Sequence, residues 1–212
     1  IISTIDDAHI PFVTKHLPDS ATYSVIDPFG AVGSNDVSYV FRDGKESVYY
    51  GDQLLDSVDS VWFRKPTPLA RIELSVPVTH RAYTLSALRR HLAPLYRHWK
   101  DAFWVSPYES IVDGENKPHQ LETAASVGFA VPATLITGDA THARQFVEAH
   151  KVCVVKSQAS EFPKGKTLMT SVVSSEDALS YEGLSVDPMI FQQYIEPAYE
   201  LRVTVVGDAV FA

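Results

Sequence analysis

The sequence has little cysteine and no long apolar run. Cys153 is the only cysteine among 212 residues, which excludes an internal disulfide and a metal cage made of thiolates. It lies in an apolar stretch and is expected to be a buried core residue. No segment is long and apolar enough to cross a bilayer, and the first residues lack the basic start and cleavage site of a signal peptide. These absences favour a cytoplasmic protein without a membrane partner.

An excess of positive charge is also missing. Lys and Arg number 18 against 26 Asp and Glu, a formal net charge of −8, which speaks against a protein that binds the phosphate backbone of nucleic acids. Any anionic ligand must therefore be held by a few individually placed cations. The eight histidines show no metal-ligand spacing. The length allows one large or two modest domains, and a homodimer is compatible with it.

The first half alternates strand and helix patterns, an order that favours a parallel sheet covered by helices. The predicted elements are strands over residues 1 to 5, 22 to 26, 60 to 66 and 103 to 105, and helices over residues 9 to 17 and 80 to 99. Pro94 should kink or divide the second helix. Asp43-Gly44 predicts a hairpin over residues 37 to 50, because this pair adopts the positive φ angles of a tight turn. We place a domain boundary near residue 106.

The second half repeats the alternation. The predicted elements are helices over residues 115 to 127 and 140 to 150 and one begun at 174 to 177, and strands over residues 133 to 137, 151 to 157, 167 to 173, 189 to 194 and 201 to 206. Asp139 is expected to cap the second of these helices. Gly207-Asp208 predicts a turn into a last strand. The fold class is therefore α/β.

Lys156 lies at the end of an apolar strand. An ammonium group there is costly unless an anion or carboxylate meets it; the alternative is a lysine that reaches solvent from a strand end. The following polar loop, residues 159 to 166, could lay backbone N–H groups over a polyphosphate, although it holds a single glycine.

Two further segments suit a nucleotide. Lys117 is predicted early in a helix, where Pro118 is tolerated and unpaired N–H groups favour anions. Residues 191 to 197 form an apolar strand that leaves into a Glu196-Pro197 turn. Backbone groups freed at such a strand end can read the edge of a purine, and a carboxylate just after it can bind ribose hydroxyls. A surface lysine and a plain core strand are the alternatives.

The order of these segments resembles the ATP-grasp superfamily over nearly the whole chain. The segment that begins Glu200-Leu-Arg202 is part of this superfamily resemblance. The motifs most similar to the maturases of graspetides, the microviridin-type ribosomal peptides, are Trp62-Phe-Arg-Lys-Pro66, Trp104-Val-Ser-Pro107, Asn116-Lys117 with Gln120-Leu121, Gly128-Phe-Ala-Val-Pro132 and Thr134-Leu-Ile-Thr137. Protein glutamate ligases and glutathione synthetase belong to the wider set. The resemblance implies a Rossmann-like pre-ATP-grasp domain over residues 1 to 105, then an incomplete ATP-grasp domain over residues 106 to 212 with a lid at about 133 to 190.

The resemblance also implies roles for individual residues. Lys117 and Lys156 would hold the α- and β-phosphates of ATP, and Arg202 would face the γ-phosphate or the acyl phosphate as the catalytic residue. The adenine and ribose would meet Gln192, Gln193, Tyr194, Ile195 and Glu196. Mg²⁺ is implied as a cofactor, but its ligands lie beyond Arg202 in the family. We therefore expect the natural chain to continue for about another hundred residues.

The implied function is an ATP-dependent carboxylate ligase that forms an ester or amide through an acyl phosphate, with a ribosomally made peptide as the expected substrate. One alternative is a glutamate or amino-acid ligase of the same superfamily, and another is a nucleotide-binding regulatory protein without catalysis. The segment with Trp62 and Arg64 to Pro66 has two possible interpretations. It is either a basic strand end that faces the cleft between the domains or an edge strand whose cations are solvated.

Overall fold

The computed structural model describes residues 1 to 29, 37 to 64, 66, 76 to 158, 169 to 177 and 179 to 212. These residues divide into two compact units, the first from Ile1 to Gln120 and the second from Leu121 onward. The division falls later in the chain than the boundary near residue 106 that the sequence suggests. The predicted limits of the pre-ATP-grasp and ATP-grasp domains stay a prediction.

The first unit mixes short strands with helices. Its elements are helix α1 (His9–Thr14), strands β1 (Val37–Arg42), β2 (Lys45–Tyr50), β3 (Gln53–Leu54) and β4 (Ser60–Trp62), a 3-10 turn (Val78–His80), helix α2 (Arg81–His98), strand β5 (Phe103–Val105) and helix α3 (Tyr108–Glu115), with helix α4 (Lys117–Ser126) at the division. The hairpin β1–β2 confirms the expected Asp43-Gly44 turn, in which both residues have positive φ angles. Helix α3 was not predicted from the sequence.

Parallel pairing joins the first residues of the chain to β4 and β5. Ile2 forms parallel bridges to Ile26 and Phe63, and β4 pairs with β5 in parallel. The two predicted strands over residues 1 to 5 and 22 to 26 therefore appear only as single bridged residues. Phe63, just after β4, therefore lies between Ile2 and β5, and both interpretations of the segment with Trp62 and Arg64 stay predictions.

The core of the first unit lies under α2. Leu92, Leu95 and Trp99 are buried together with the hydrophobic residues of the strands and their connections, namely Ile2, Ile26, Phe29, Val37, Val48, Leu55 and Val61. The Trp99 ring N–H donates to the Leu55 carbonyl oxygen at 2.8 Å. Pro94 lies inside α2 and does not divide it, because the buried residues on either side of it hold both halves of the helix against one core.

The second unit is built on a four-stranded antiparallel sheet. Its elements are strand β6 (Thr134–Thr137), helix α5 (Ala140–His150), and strands β7 (Val152–Ser157), β8 (Ser171–Ser174), β9 (Met189–Gln193), β10 (Thr204–Val206) and β11 (Ala209–Phe211). The strand order in the sheet is β6-β9-β7-β8, and β10 and β11 form a separate hairpin. Cys153 is fully buried beneath α5 with Ala143, Val147, Leu184 and Phe191.

Two helix predictions of the second half have different outcomes. Asp139 caps α5 as expected, since its carboxylate accepts the His142 amide at 2.8 Å. The helix predicted from residue 174 is absent from the described residues there. Ser174 and Asp177 instead bond neighbouring backbone amides and hold a turn, which is the usual alternative to a helix for such side chains.

Candidate nucleotide site

The register of the central sheet assigns its side chains to two faces. Thr134 lies opposite Gln192, and Val154 lies opposite Gln192 on the other side of β9. Since successive side chains of a strand point to opposite faces, the even-numbered residues Thr134, Lys156 and Gln192 share one face. The odd-numbered residues of β7 and β9, such as Val155 and Phe191, share the face that α5 covers. Lys156 therefore lies on the face away from α5.

A chain of hydrogen bonds links Lys156 to the start of β6. The Lys156 ammonium donates to Gln192 Oε1 at 3.1 Å, and Gln192 Nε2 donates to Thr134 Oγ1 at 2.8 Å. The Thr134 hydroxyl donates in turn to the Pro132 carbonyl oxygen at 2.9 Å. All three side chains are half-buried. The structure thus brings together two of the predicted site residues. It adds Thr134, which belongs to the motif Thr134-Leu-Ile-Thr137 of the family resemblance but was not predicted as a site residue.

Lys117 is the first residue of α4 in the first unit. Asn116 precedes it and caps the helix, because its side-chain oxygen accepts the His119 amide at 3.2 Å. The Lys117 ammonium donates to Gln120 Oε1 at 3.1 Å, and Gln120 Nε2 donates to the Gly114 carbonyl oxygen. The expected position at a helix start is confirmed, and this ammonium too is held by a neutral glutamine amide.

The residues predicted to meet the adenine and ribose lie at the end of β9. The amides of Gln193 and Tyr194 donate to Ala133 and Val152 carbonyl oxygens at 2.9 and 3.1 Å, so these two N–H groups are already paired. Within the described ranges, Ile195 and Glu196 have no hydrogen-bond partner and are exposed. Arg202 is also exposed, in the irregular segment before β10.

A cavity of about 410 Å³ lies on the other face of the same sheet. Its apolar lining comes from Val155, Val173, Leu179, Leu184, Met189 and Phe191, and its polar lining includes Ser171, Glu182 and Asp187. Because Val155 and Phe191 point away from the Lys156 face, this cavity and the Lys156 chain are two separate sites.

Arg64 follows β4 and is bonded to Asp7. Its Nε lies 3.0 Å from Asp7 Oδ2, and its guanidinium lies 5.4 Å from the centre of the Trp62 ring. The cation is therefore paired and stacked, which differs from the solvated cation of the edge-strand reading. Lys65 and the loop over residues 159 to 166 lie outside the described residues. In the part of the chain that the structure describes, no group of three His, Cys, Asp or Glu side chains could hold a metal ion, and no helix is long and apolar enough to cross a membrane.

The chain matches no protein-family model and no curated protein, but it is similar to several solved structures. The macrocyclase MdnC from Microcystis aeruginosa MRC, bound with precursor peptide MdnA, matches with a TM-score of 0.84 at 25% identity, covering 99% of this chain and 69% of MdnC. A RiPP-associated ATP-grasp ligase from Chryseobacterium gregarium, in complex with ADP and a leader and core peptide, matches with a TM-score of 0.73 at 24% identity over 99% and 66%. The ATP-grasp ligase PsnB, complexed with a phosphomimetic variant of its minimal precursor, Mg and ADP, matches with a TM-score of 0.66 at 18% identity over 92% and 64%.

The chain thus spans about two thirds of the length of these ligases. The likeness covers the four-stranded sheet with Lys156 as well as the first unit, since 99% of the chain is matched in two of them. The resemblance to graspetide maturases is confirmed as a structural one: over nearly its whole length, this α/β chain is similar in structure to RiPP-associated ATP-grasp ligases and macrocyclases.

Proposed function

We propose that the protein to which this chain belongs is an ATP-dependent ligase that forms an ester or amide bond within a ribosomally made peptide. The observation that carries the proposal is the match to the macrocyclase MdnC over 99% of the chain. Lys156 supports it, because its half-buried ammonium donates to the neutral amide of Gln192 on the sheet face away from α5, where a lysine charge suits an anionic ligand.

The proposed reaction needs positioned cations more than it needs a protein nucleophile. A substrate carboxylate oxygen attacks the γ-phosphorus of ATP, the bond to the bridging oxygen breaks, and an acyl phosphate and ADP form. A hydroxyl or amine of the peptide then attacks the acyl carbon and releases phosphate, with loss of one proton. Lys117 and Lys156 would hold the α- and β-phosphates and Arg202 the transferred group, since such transfer depends on position and charge neutralisation.

Mg²⁺ would supply further neutralisation of the triphosphate when bound. Among the described residues there is no group of three His, Cys, Asp or Glu side chains that could hold it, and the resemblance places its ligands beyond Arg202. The adenine would lie against the backbone after β9, at Ile195, with Glu196 near the ribose. Gln193 and Tyr194 would contribute carbonyl oxygens, because their amides are already bonded.

The cavity on the α5 face is proposed to hold part of the peptide. Its apolar floor suits a hydrophobic side chain, and the exposed carboxylates of Glu182 and Asp187 on its lining suit a neighbouring basic residue. Binding there would leave the Lys156 face open for nucleotide. The leader and core peptides belong to the similar ligases, and a precursor peptide for this chain is a proposal.

The decisive experiment is co-expression with a small precursor gene adjacent to this one, followed by mass spectrometry of the peptide. A loss of one water for each cross-link, absent when the ligase gene is omitted, is the expected result. A gain of glutamate residues on an acceptor would favour the amino-acid ligase. Nucleotide binding with no product from any peptide would favour the regulatory protein.

A further inference from the structure

We propose that Thr134 and Gln192 are positioning residues that fix the Lys156 ammonium group before the nucleotide arrives. This inference rests on the proposed role of Lys156 in holding phosphate. It adds Thr134 to the site. It also gives Gln192, which the resemblance places against the adenine or ribose, a different role, in which its side chain contacts the lysine and need not contact the nucleotide.

The chain of hydrogen bonds runs in one direction only. A lysine ammonium donates and cannot accept, so Gln192 must present its oxygen to Lys156 and its NH₂ group to Thr134. The Pro132 carbonyl accepts and cannot donate, so the Thr134 hydroxyl must give its hydrogen to Pro132 and accept from Gln192. Turning the amide over would place NH₂ against the ammonium and break both of its bonds.

The register makes this chain stiff. Thr134 and Gln192 are directly opposed on β6 and β9, while Lys156 reaches Gln192 diagonally from β7. The chain therefore crosses three hydrogen-bonded strands and ends on a backbone carbonyl. A lysine held in this way has already lost much of the rotamer freedom that it would otherwise lose on binding phosphate.

A glutamine serves this purpose better than a carboxylate does. A carboxylate at the same place would orient the ammonium and add a negative charge beside it, whereas the Gln192 amide oxygen orients the ammonium without adding charge. The same arrangement recurs at Lys117, whose ammonium donates to the Gln120 amide oxygen while the Gln120 NH₂ group donates to the Gly114 carbonyl. Both lysines predicted to hold phosphate thus share one kind of support.

The test compares ADP with adenosine in isothermal titrations of the full-length protein. Thr134→Val keeps the shape of the side chain and removes its hydroxyl, and Thr134→Ser keeps the hydroxyl. We expect Thr134→Val to weaken ADP binding by about 3- to 10-fold, the effect of one hydrogen bond to a charged network, with adenosine affinity unchanged and Thr134→Ser close to the natural protein. Gln192→Glu should weaken ADP binding in the same selective way, because it places a negative charge beside Lys156 that repels phosphate.

Equal losses for ADP and adenosine would show a general structural defect and overturn the proposal, and so would unchanged ADP affinity in Thr134→Val. Thermal unfolding of each variant checks that the fold persists. The Lys156→Met variant shows whether a negative result contradicts only the positioning role or also the proposed nucleotide role of Lys156. If Lys156→Met loses ADP affinity while Thr134→Val and Gln192→Glu keep it, the positioning role alone is wrong. If Lys156→Met also keeps it, the nucleotide role of Lys156 is wrong.

Discussion

Arg64 donates through two nitrogens to Asp7, with Nε 3.0 Å from Oδ2 and Nη2 3.4 Å from Oδ1. The same carboxylate accepts the Ser3 hydroxyl at 2.8 Å and the His9 amide at 2.9 Å. Burial of Asp7 opposes its ionisation, but the hydrogen bonds from Arg64, His9 and Ser3 together hold the pKa of Asp7 well below its usual range. The pair ties the loop after Ile2 to the end of β4.

The first prediction is that Asp7→Asn lowers the free energy of unfolding at pH 7 by about 2 kcal/mol, the effect of losing charged hydrogen bonds. Because the folded pKa of Asp7 is depressed, its contribution is complete above the ordinary pKa of aspartate and is lost as the pH falls. The difference between natural protein and variant should therefore shrink below about pH 4. Urea unfolding at several pH values measures it. Asp19→Asn, at an exposed carboxylate, is the control. A difference in the free energy of unfolding between the natural protein and Asp7→Asn that does not change with pH would contradict the depressed pKa of Asp7.

The second prediction is that Lys156→Met weakens ATP binding far more than it weakens folding. The ammonium is half-buried and already oriented toward its sheet face, so its loss removes a placed charge that water cannot replace. Lys117→Met should give a smaller loss, because the N–H groups at the start of α4 can partly replace its charge. Isothermal titration with ATP, beside thermal unfolding, measures both.

Lys100→Met is the matched control for these two variants, since Lys100 is an exposed cation outside the proposed site. Its ATP affinity should equal that of the natural protein. A folded Lys156→Met protein with full ATP affinity would be the contrary result.

The third prediction concerns the cavity on the α5 face. Replacing both Glu182 and Asp187 by Lys should weaken binding of the precursor peptide by about three- to tenfold, as expected when exposed charges change sign. ATP affinity should not change, because the cavity and Lys156 lie on opposite faces of the sheet. The double variant Asp19→Lys and Glu176→Lys, at two exposed residues that do not line the cavity, makes the same change in net charge and is the control. A parallel loss of ATP and peptide affinity would mean that the two sites are not separate.

The fourth prediction is that Cys153 does not react with a thiol reagent in the native protein. Its side chain is fully buried, and burial raises the pKa of the thiol, so the reactive thiolate is scarce at neutral pH. Labelling should proceed only at the rate of unfolding and should reach one thiol per chain in guanidinium. If the native protein were labelled as fast as the unfolded chain, α5 would have to separate readily from the sheet and expose Cys153.

Much of this fold follows from local signals. The Asp43-Gly44 hairpin, the amphipathic pattern that gives α2, and the Asp139 cap of α5 all depend on residues close together in the chain, and the structure confirms them. Helix α3 was not predicted because it has only eight residues, none of them buried, and its apolar positions Tyr108, Ile111 and Val112 are too few to indicate a helix in the sequence. The strands at Ile2 and Ile26 were predicted too long, since their pairing is decided by partners far along the chain.

The site was predictable only in part, because its contacts also depend on partners far along the chain. Lys156 and Gln192 each stand out as polar residues in apolar strands, but their contact depends on β7 and β9 being neighbours in one particular register. Thr134 enters through a third strand, β6. No local pattern carries that information, because the register between distant strands is set by packing of the whole unit.

The alternation of the two faces along β7 and β9 has an evolutionary consequence. Inserting or deleting one residue within β9 would turn Gln192 toward the cavity and Phe191 toward Lys156, so the length of this strand is constrained by two ligands at once. Substitutions are not constrained in that way. If the proposed function holds, changes at odd-numbered positions would reshape the cavity for a new peptide while the even-numbered positions still bind phosphate, so the use of ATP would stay constant as the product diversifies.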